Sequence, residues 1–281
     1  MKDIEYTIKP PGKFSLNLQE LWQFKELFYF FTWRDIKVKY KQTVLGFLWA
    51  VLQPLMMMAI FVFFFSRTLN VPTDGIPAPI FYYNGLLLWN IFSTGVAGAG
   101  SSMVSNANII KKIYFPRLII PMSSILTAVF DFLMAMLVMA GLLLFYEFTQ
   151  PDFVVSYGKL LLYLPLALLM TIACTFGLGT FLAALNVKYR DFRYIIPFMI
   201  QFLLFVTPVI YPVSIFEEIT WAKYAMALNP MTGAVNLGRA AFTDMAIDWP
   251  IIGISLLSGL LLFLLGIYFF RKTEAYFADV A

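Results

Sequence analysis

Histidine is absent from this chain, and cysteine occurs once, at Cys174. Without histidine the sequence lacks the commonest metal ligand and the commonest general base of enzymes. A lone cysteine cannot form an intrachain disulfide or a cysteine metal cluster. The GxxxxGK[ST] phosphate loop, the HExxH zinc pattern and the GxSxG nucleophile pattern are also missing. These absences predict that the chain is not an enzyme and binds no cofactor of its own.

Charged side chains are scarce, at 13% of the residues, whereas hydrophobic residues make up 61%. Soluble domains carry about 25% charged and roughly 45 to 50% apolar residues, so a soluble core could not bury this much apolar surface. The net charge of +4 is spread over short segments between apolar runs and builds no basic groove for nucleic acid. Composition therefore predicts an all-α polytopic membrane protein in contact with lipids, without a nucleic-acid partner.

A basic segment, residues 34–41, leads directly into the first long apolar run, residues 44–65. At a rise of about 1.5 Å per residue, this run is long enough to cross a hydrocarbon core of about 30 Å. The sequence thus predicts that the first transmembrane helix begins just after the basic segment.

The preceding residues, 1–43, carry no apolar signal sequence and are expected to form a cytoplasmic segment. Within it, residues 18–33 have the composition of an amphipathic helix that lies in the headgroup region, with Trp22 and Trp33 as interfacial anchors. The alternative is a helix packed against a soluble partner or against the next span.

Five further apolar runs give six predicted transmembrane helices within residues 44–270, so both termini lie on one side of the membrane. The positive-inside rule assigns that side to the cytoplasm, because sixteen of the 20 lysine and arginine residues fall in four segments that face it. The further runs lie near residues 80–103, 118–146, 160–185, 195–213 and 251–270. The four cytoplasmic segments are residues 1–43, 105–117, 186–194 and 271–281.

The longest predicted outer segment, residues 214–249, is not simply polar. An apolar stretch is interrupted at Asn229 and Pro230, and neither arm reaches the length of about 20 residues needed to span a membrane. This pattern predicts a re-entrant helical hairpin before the last span, a form tolerated only where protein or water covers the open backbone. The alternative is an amphipathic loop that rests on the membrane surface.

Two inner loops are candidate contacts for a partner protein. In the first, residues 105–117, a short helix is followed by Pro116, which turns the chain sharply before the third span. The second loop, residues 186–194, offers a smaller surface of the same kind. Alternatively, both are positive-inside loops attracted to anionic lipid. The side chains that the first loop is expected to present are Ile113, Tyr114 and Phe115.

Four segments of the chain carry a family resemblance that extends from about residue 18 to residue 270. They are RDIKVKYKQTVLGFLWAVLQP at 34–54, IIKKIYFPRLIIP at 109–121, NVKYRDFRYIIPFMIQFLLFVTPVIYP at 186–212 and LNPMTGAVNLGRAAF at 228–242. Together and in this order they resemble the transmembrane subunit of the type-2 ABC exporters. Within that family they are similar to the permeases that export O-antigen, capsule and teichoic acid.

The resemblance implies a homodimer with six helices per subunit, paired with two copies of a cytoplasmic ATPase in the bacterial inner membrane. ATP and Mg would be bound by that ATPase, and a lipid-linked polysaccharide would pass outward through a channel at the dimer axis. Asn229 and Pro230 would belong to an outer gate, and residues of the inner loops would couple the helices to the ATPase. The implied coupling residues are Asn108, Lys111, Lys112, Tyr114, Phe115, Pro116, Lys188, Tyr189, Arg190 and Asp191.

Aromatic residues make up 18% of the chain, and their flat rings offer stacking surfaces on which a sugar polymer can slide. Because the resemblance implies that the second and fifth spans line the channel, eight of their rings are candidate lining residues. For each ring, contact with lipid or with neighbouring helices is the alternative. The candidates are Tyr82, Tyr83, Trp89, Phe92, Phe198, Phe202, Phe205 and Tyr211.

Basic residues at the inner end of the first span are candidate contacts for the phosphates of a lipid carrier, since arginine binds phosphate directionally and lysine as a point charge. Membrane orientation and binding of anionic lipid explain the same residues without any substrate. These candidate entrance residues are Arg34, Lys37, Lys39 and Lys41.

Asp131 lies near the middle of the third run, where an unpaired charge is costly, so it is expected to face other helices. A structural hydrogen bond with a protonated carboxyl is the favoured role. A stand-alone ion-coupled transporter would carry coupling charges in several spans, and only Asp131 is well placed. Small and polar residues of the second span allow close helix approach or a wet surface. Within the exporter family, export of a small hydrophobic molecule or drug remains the alternative to polysaccharide.

Overall fold

The computed structural model describes residues 18–41, 43–150, 153–243 and 246–274, and these residues form helices joined by turns and short loops. A π-helical segment, Val62–Thr68, continues α3. A 3-10 turn, Val213–Phe216, precedes α9. The predicted segments at 1–17 and 275–281 lie outside the described residues. The helices are α1 (Leu18–Gln23), α2 (Lys25–Tyr40), α3 (Leu48–Phe61), α4 (Ala78–Ser105), α5 (Ala107–Ile110), α6 (Ile119–Thr149), α7 (Tyr157–Lys188), α8 (Phe192–Val206), α9 (Thr220–Ala227), α10 (Pro230–Phe242) and α11 (Trp249–Thr273).

Within the described residues, four helices are long and apolar enough to cross a membrane. Of the other two predicted spans, α4 has 28 residues but carries asparagine, serine and glycine, and α8 has only 15 residues, about 22 Å. Helix length and composition therefore account for four spans, and the count of six remains a prediction. The four are Leu48–Thr68, Ile119–Thr149, Tyr157–Lys188 and Trp249–Thr273.

Helix α4 is the central element and contacts α6, α7 and α10. Small residues let the helices approach closely, as is common in membrane bundles. A Cβ atom added to Gly95 would lie 2.5 Å from Cγ2 of Thr175 on α7. The tightest crossing joins α7 to α11, where a Cβ on Gly266 would lie 2.1 Å from the carbonyl oxygen of Gly177. Backbone meets backbone there, so neither glycine position has room for a side chain.

The predicted hairpin consists of α9, with 8 residues, and α10, with 13. Asn229 caps α10, because its side-chain oxygen accepts a hydrogen bond from the Met231 N–H at 3.1 Å. Pro230 occupies the first helical position, where no N–H donor is required. Helix α10 is almost wholly buried and packs on α4, α7 and α11. The position of the two helices relative to the membrane stays a prediction.

Arg239 on α10 is the largest of the fully buried side chains. Its guanidinium lies 3.6 Å from the centroid of the Phe81 ring and donates to the carbonyl oxygens of Val209 at 3.0 Å and Tyr211 at 3.4 Å. Buried carbonyls are costly unless they accept a hydrogen bond. Counting charges in the sequence places Arg239 among the outer basic residues. In the structure, its hydrogen bonds connect α10 to the stretch after α8.

The N-terminal helix is longer than predicted. Helix α2 continues to Tyr40, about two turns beyond the expected end at Trp33, and packs along α6. Phe31 contacts Phe115, just before α6, with ring centroids 5.7 Å apart. One face of α2 is thus covered by α6, which corresponds to the third predicted span and not to the next one, while Trp33 lies on the exposed face of α2.

Candidate functional site

All four candidate entrance residues lie at partly or fully exposed positions on or just after α2. Arg34 forms an ion pair with Asp35 at 2.7 Å. The ammonium of Lys37 lies 5.3 Å from the ring centroid of Trp33. Lys41 follows the helix and is exposed. These cations are accessible to an anionic ligand or to lipid headgroups, and their role stays a prediction.

The fourth, Lys39, is engaged with Asp131 of α6, which also accepts a hydrogen bond from the hydroxyl of Tyr40. The Asp131 side chain is only 14% exposed and that of Lys39 is 44% exposed. Burial and the neighbouring carboxylate raise the pKa of Tyr40, so its phenol stays a neutral donor. Asp131 does face other helices, as expected. Its basic partner comes from α2 rather than from a span, so a protonated carboxyl is not required.

Ring contacts place this ion pair level with the start of the first span. Phe47, just before α3, contacts Tyr40 at 4.8 Å and Phe130 at 6.0 Å between ring centroids. Asp131 is the next residue of α6, and α6 begins at Ile119. About 18 Å of α6 therefore precedes the level at which the first span begins. The ion pair lies at the foot of α3, with the inner part of α6 projecting beyond it.

An open cavity of about 180 Å³ lies beside the ion pair, between α2, α4 and α6. Its polar groups are hydroxyls, carboxylates and one ammonium. Over the described residues, no group of three or more Asp, Glu, Cys or His side chains is placed to hold a metal ion. The polar residues of the cavity are Asp35, Lys39, Thr94, Ser124, Thr127 and Asp131.

One face of α4 continues from this cavity. On one side of that face, a Cβ on Gly98 would meet Ser124 of α6 at 3.2 Å, and on the other, a Cβ on Gly100 would meet Ile196 of α8 at 2.9 Å. The open face therefore lies between α6 and α8. Its residues recur at helical spacing and are partly or fully exposed. They are Asn90, Ser93, Thr94, Ala97, Gly98 and Ser101.

The aromatic residues of α4 do not lie on this open face. Tyr82 and Tyr83 have no exposed surface, and Trp89 and Phe92 are 5% and 3% exposed. The Tyr83 hydroxyl donates to the carbonyl of Ala135 at 3.0 Å. In this structure the four rings fill the core instead of lining a channel, because they project from the sides of α4 that α6, α7 and α10 cover.

The aromatic residues of α8 are placed differently. Phe198, Phe202 and Phe205 share one face and are 73%, 59% and 59% exposed. Tyr211 is half-buried beyond the helix, and its hydroxyl donates to the carbonyl of Phe205 at 2.9 Å. The three phenylalanines are open to a second subunit, a channel or lipid, and their assignment to a channel stays a prediction.

Most of the predicted coupling residues are exposed around the short helix α5 and after α7. Phe115 and Pro116 are exceptions, since both are buried. Phe115 packs against α2, so it anchors the loop instead of presenting a surface. The exposed residues are Asn108, Lys111, Lys112, Tyr114, Lys188, Tyr189, Arg190 and Asp191.

The first inner loop is held between the two ends of the described chain. Phe115 packs against α2, and Arg117 donates to the backbone carbonyl of Glu274 at the end of α11. Tyr114 lies near Glu20 of α1, and partial burial together with the Glu20 and Glu274 carboxylates raises the pKa of its phenol. The first inner loop is therefore in direct contact with α2 and with the end of α11.

The predicted outer-gate residues lie where three elements meet. The side-chain N–H of Asn229 donates to the hydroxyl of Thr207, after α8, at 2.9 Å. The hydroxyl of Ser255 on α11 donates to the carbonyl of Ala227 at 2.9 Å. The hairpin is thus joined to the stretch after α8 through Asn229 and to α11 through Ala227.

Comparison with known proteins covers most of these features. A match to the family described as ABC-2 type transporter extends over residues 26–243. The chain belongs to the ABC-2 type transporter family. The matched residues of this ABC-2 transporter chain include α2 with its ion pair, the open face of α4, both inner loops and the outer hairpin.

Several curated proteins are similar to this ABC-2 transporter chain. The O-antigen export system permease protein RfbA of Myxococcus xanthus is 30% identical over 229 residues, which cover 81% of this chain and 84% of that protein. A protein of the same description from Klebsiella pneumoniae is 28% identical over 248 residues, covering 88% and 92%. The polysialic acid transport protein KpsM of Escherichia coli is 25% identical over 222 residues, covering 74% and 78%.

Proposed function

We propose that this ABC-2 transporter chain is the membrane subunit of an ATP-driven exporter that moves a lipid-linked polysaccharide outward across the bacterial inner membrane. The similarity to O-antigen export permeases over 84% and 92% of their lengths carries the proposal, because it extends over most of the chain instead of one motif. ATP and Mg are bound by a separate ATPase subunit. This chain supplies the path and the coupling surface.

In this proposal the chain crosses the membrane six times, with α4 and α8 as the second and fifth spans and both termini in the cytoplasm. Helix α4 is long enough, and its polar residues Asn90, Ser93, Thr94 and Ser101 lie on the open face instead of in the core. Helix α8 is short, but the stretch after it is tied to α10 by Arg239, so protein covers its open backbone. The α9–α10 hairpin enters the outer leaflet and forms the outer gate at Asn229 and Pro230.

Two copies of the ATPase dock on the two inner loops in this proposal. The exposed residues around α5 form the larger contact, and residues 188–191 form the smaller one. The contacts of Phe115 with α2 and of Arg117 with α11 support this role, since a push on the loop acts on the helices at both ends of the described chain.

Two copies of this chain pair through α3 and α8. Helix α3 is the least covered of the four long apolar helices, with 11% of its most apolar window buried, and α8 carries the exposed Phe198, Phe202 and Phe205. The open face of α4 lies beside α8 and would border the path at the dimer axis. Hydroxyl and amide groups on that face favour a hydrophilic cargo over a small hydrophobic molecule.

The exposed cations Arg34, Lys37 and Lys41 receive the phosphates of the lipid carrier in this proposal. They lie on and just after α2, close to where the first span begins. Lys39 and Arg34 contribute less than Lys37 and Lys41, because Asp131 and Asp35 already compensate their charges.

Deleting the gene in its own organism tests the proposal. We expect surface polysaccharide to disappear, the lipid-linked polymer to accumulate in the cytoplasm, and a plasmid copy to restore export. Purification of the tagged chain in mild detergent should recover an ATPase. Normal surface polysaccharide in the deletion strain, together with increased sensitivity to a hydrophobic drug, would replace the polysaccharide with a small molecule as cargo.

A further inference from the structure

The hydrogen bonds that the side chains of the cavity between α2, α4 and α6 already make determine which acceptors and donors remain for a ligand. The Thr94 hydroxyl donates to the carbonyl of Asn90 at 2.6 Å, and the Thr127 hydroxyl donates to the carbonyl of Ser123 at 3.0 Å. A hydroxyl has one hydrogen and two lone pairs. With the hydrogen used inside its own helix, each of these threonines offers the cavity an acceptor.

The carboxylates of the cavity add further acceptors. Both hydrogen bonds from Arg34 go to the same oxygen of Asp35, Oδ1. Asp131 accepts from Lys39 and Tyr40, and a carboxylate has about four acceptor positions. Lys39 supplies three N–H groups, of which Asp131 takes one. The cavity therefore presents many acceptors and few donors, and its two carboxylates are already paired with Arg34 and Lys39.

This balance selects among ligand chemistries. A phosphate brings only acceptors and negative charge, so it is poorly matched to Asp35 and Asp131. A sugar ring is uncharged at its hydroxyls and brings several O–H donors together with acceptors for Lys39. A hydrophobic molecule would leave the buried part of Asp131 without solvent and without new hydrogen bonds, which is costly. The lining thus fits a polyhydroxylated ligand.

The position of the cavity adds a second argument. It lies at the foot of α3, level with the start of the first span, and the open polar face of α4 continues from it. The exposed cations Arg34, Lys37 and Lys41 lie on the neighbouring surface of α2 and after it. Carrier phosphates and the first sugars of a lipid-linked polymer would therefore meet different groups at the same level.

We propose that this cavity is a binding site for a sugar residue of the exported polymer at the inner end of the translocation path, with the oxygens of Thr94, Thr127 and Asp131 as acceptors and Lys39 as donor. The proposal rests on the proposed function, because it takes the cargo to be a polysaccharide. It assigns the phosphate contacts to the other basic residues of the segment and removes Lys39 from that set.

Cysteine labelling in membranes of the producing organism tests binding directly. Cys174 is buried and is first replaced by alanine, after which Thr94→Cys and Thr127→Cys are introduced one at a time. Inverted vesicles without ATP are prepared from a strain that makes the polymer and from one that lacks its first glycosyltransferase. N-ethylmaleimide is the probe. We expect labelling of both cysteines to be about tenfold slower in the vesicles that contain polymer.

Lys272→Cys is the matched control, because Lys272 is exposed near the end of α11 and lies outside the cavity. Its labelling rate should be the same in both kinds of vesicle. Equal rates with and without polymer at positions 94 and 127 would overturn the site. Equal slowing at all three positions would also overturn it, since it would reflect general shielding of the membrane surface.

A transport measurement uses near-isosteric changes. Thr94→Val with Thr127→Val removes two acceptors, and the loss of two neutral hydrogen bonds corresponds to roughly a tenfold or greater reduction in export rate. Thr149→Val, at the exposed outer end of α6, should export as the parent does. Parental export by the double variant would overturn the site. If the deletion strain itself keeps its surface polysaccharide, the proposed function fails instead, so the two failures are distinguishable.

Discussion

Lys39 and Tyr40 of α2 both contact Asp131 of α6. Removing the charge of Asp131 tests how burial determines the strength of each of these two contacts. Asp131→Asn keeps the shape of the side chain. Tyr40 is 3% exposed, so its hydroxyl would keep only a weaker acceptor in a buried place. A hydrogen bond to a charged group contributes about 1.5 to 3 kcal/mol. An ion pair to a lysine that is 44% exposed is worth roughly 0.2 to 1 kcal/mol after screening by solvent.

Double-mutant cycles separate the two contributions. We expect a coupling free energy of about 2 kcal/mol between Tyr40→Phe and Asp131→Asn, and of less than about 1 kcal/mol between Lys39→Met and Asp131→Asn. Arg34 and Asp35 form a partly exposed pair on the same helix. Their cycle serves as the control, with an expected coupling of about 0.5 kcal/mol or less.

The measurement is unfolding of the purified protein in mixed micelles by titration with SDS, followed by tryptophan fluorescence and circular dichroism. Each variant is first tested for expression and for a single symmetric elution peak. A coupling with Lys39 that equals or exceeds the coupling with Tyr40 would refute the reasoning that burial decides the two strengths. Zero coupling in both cycles would refute the packing of α2 on α6.

Three further changes test other parts of the fold. Gly266→Ala should prevent stable folding, because its Cβ would lie 2.1 Å from a backbone oxygen. Gly253→Ala on the same helix meets open space and should change Tm little. A folded Gly266→Ala variant would contradict the close crossing of α7 and α11. Arg239→Met should lower the unfolding free energy by about 3 kcal/mol, since two buried carbonyls lose their donor and the ring contact is lost; unchanged SDS unfolding would exclude this role. Tyr114→Ala should reduce ATPase recovery in a pull-down at unchanged Tm. Phe115→Ala should lower Tm, because truncating a buried phenylalanine costs about 3 to 5 kcal/mol. The opposite pattern would reverse the roles assigned to these two residues.

The limits of prediction from the sequence are clearest in α4. The run of apolar residues indicates a long helix, and its glycine and serine residues indicate close approach or a wet surface. Which face is wet depends on where α6, α7, α8 and α10 pack, and no local pattern records that. The large aromatic rings were natural candidates for a channel, yet burying their large apolar area in the core is the more favourable use.

The N-terminal segment illustrates the same limit for charges. Counting lysines and arginines predicts orientation, because that rule depends on the total charge near each span end. It does not predict that Lys39 pairs with Asp131, which is 92 residues away in the chain. The pair forms because α2 continues past its expected end and packs along α6, a contact between elements distant in sequence.

The sequence by itself determined that this protein is an all-helical membrane permease of the ABC-2 type, because apolar run length, charge placement and extended family similarity are properties of the chain read in order. Only the tertiary structure decided that Asp131 is paired from outside the spans, that the polar face of α4 and not its rings lies open, and that Phe115 anchors the inner loop. Each of these depends on which helix faces meet, and that is set by the packing of side chains far apart in the sequence.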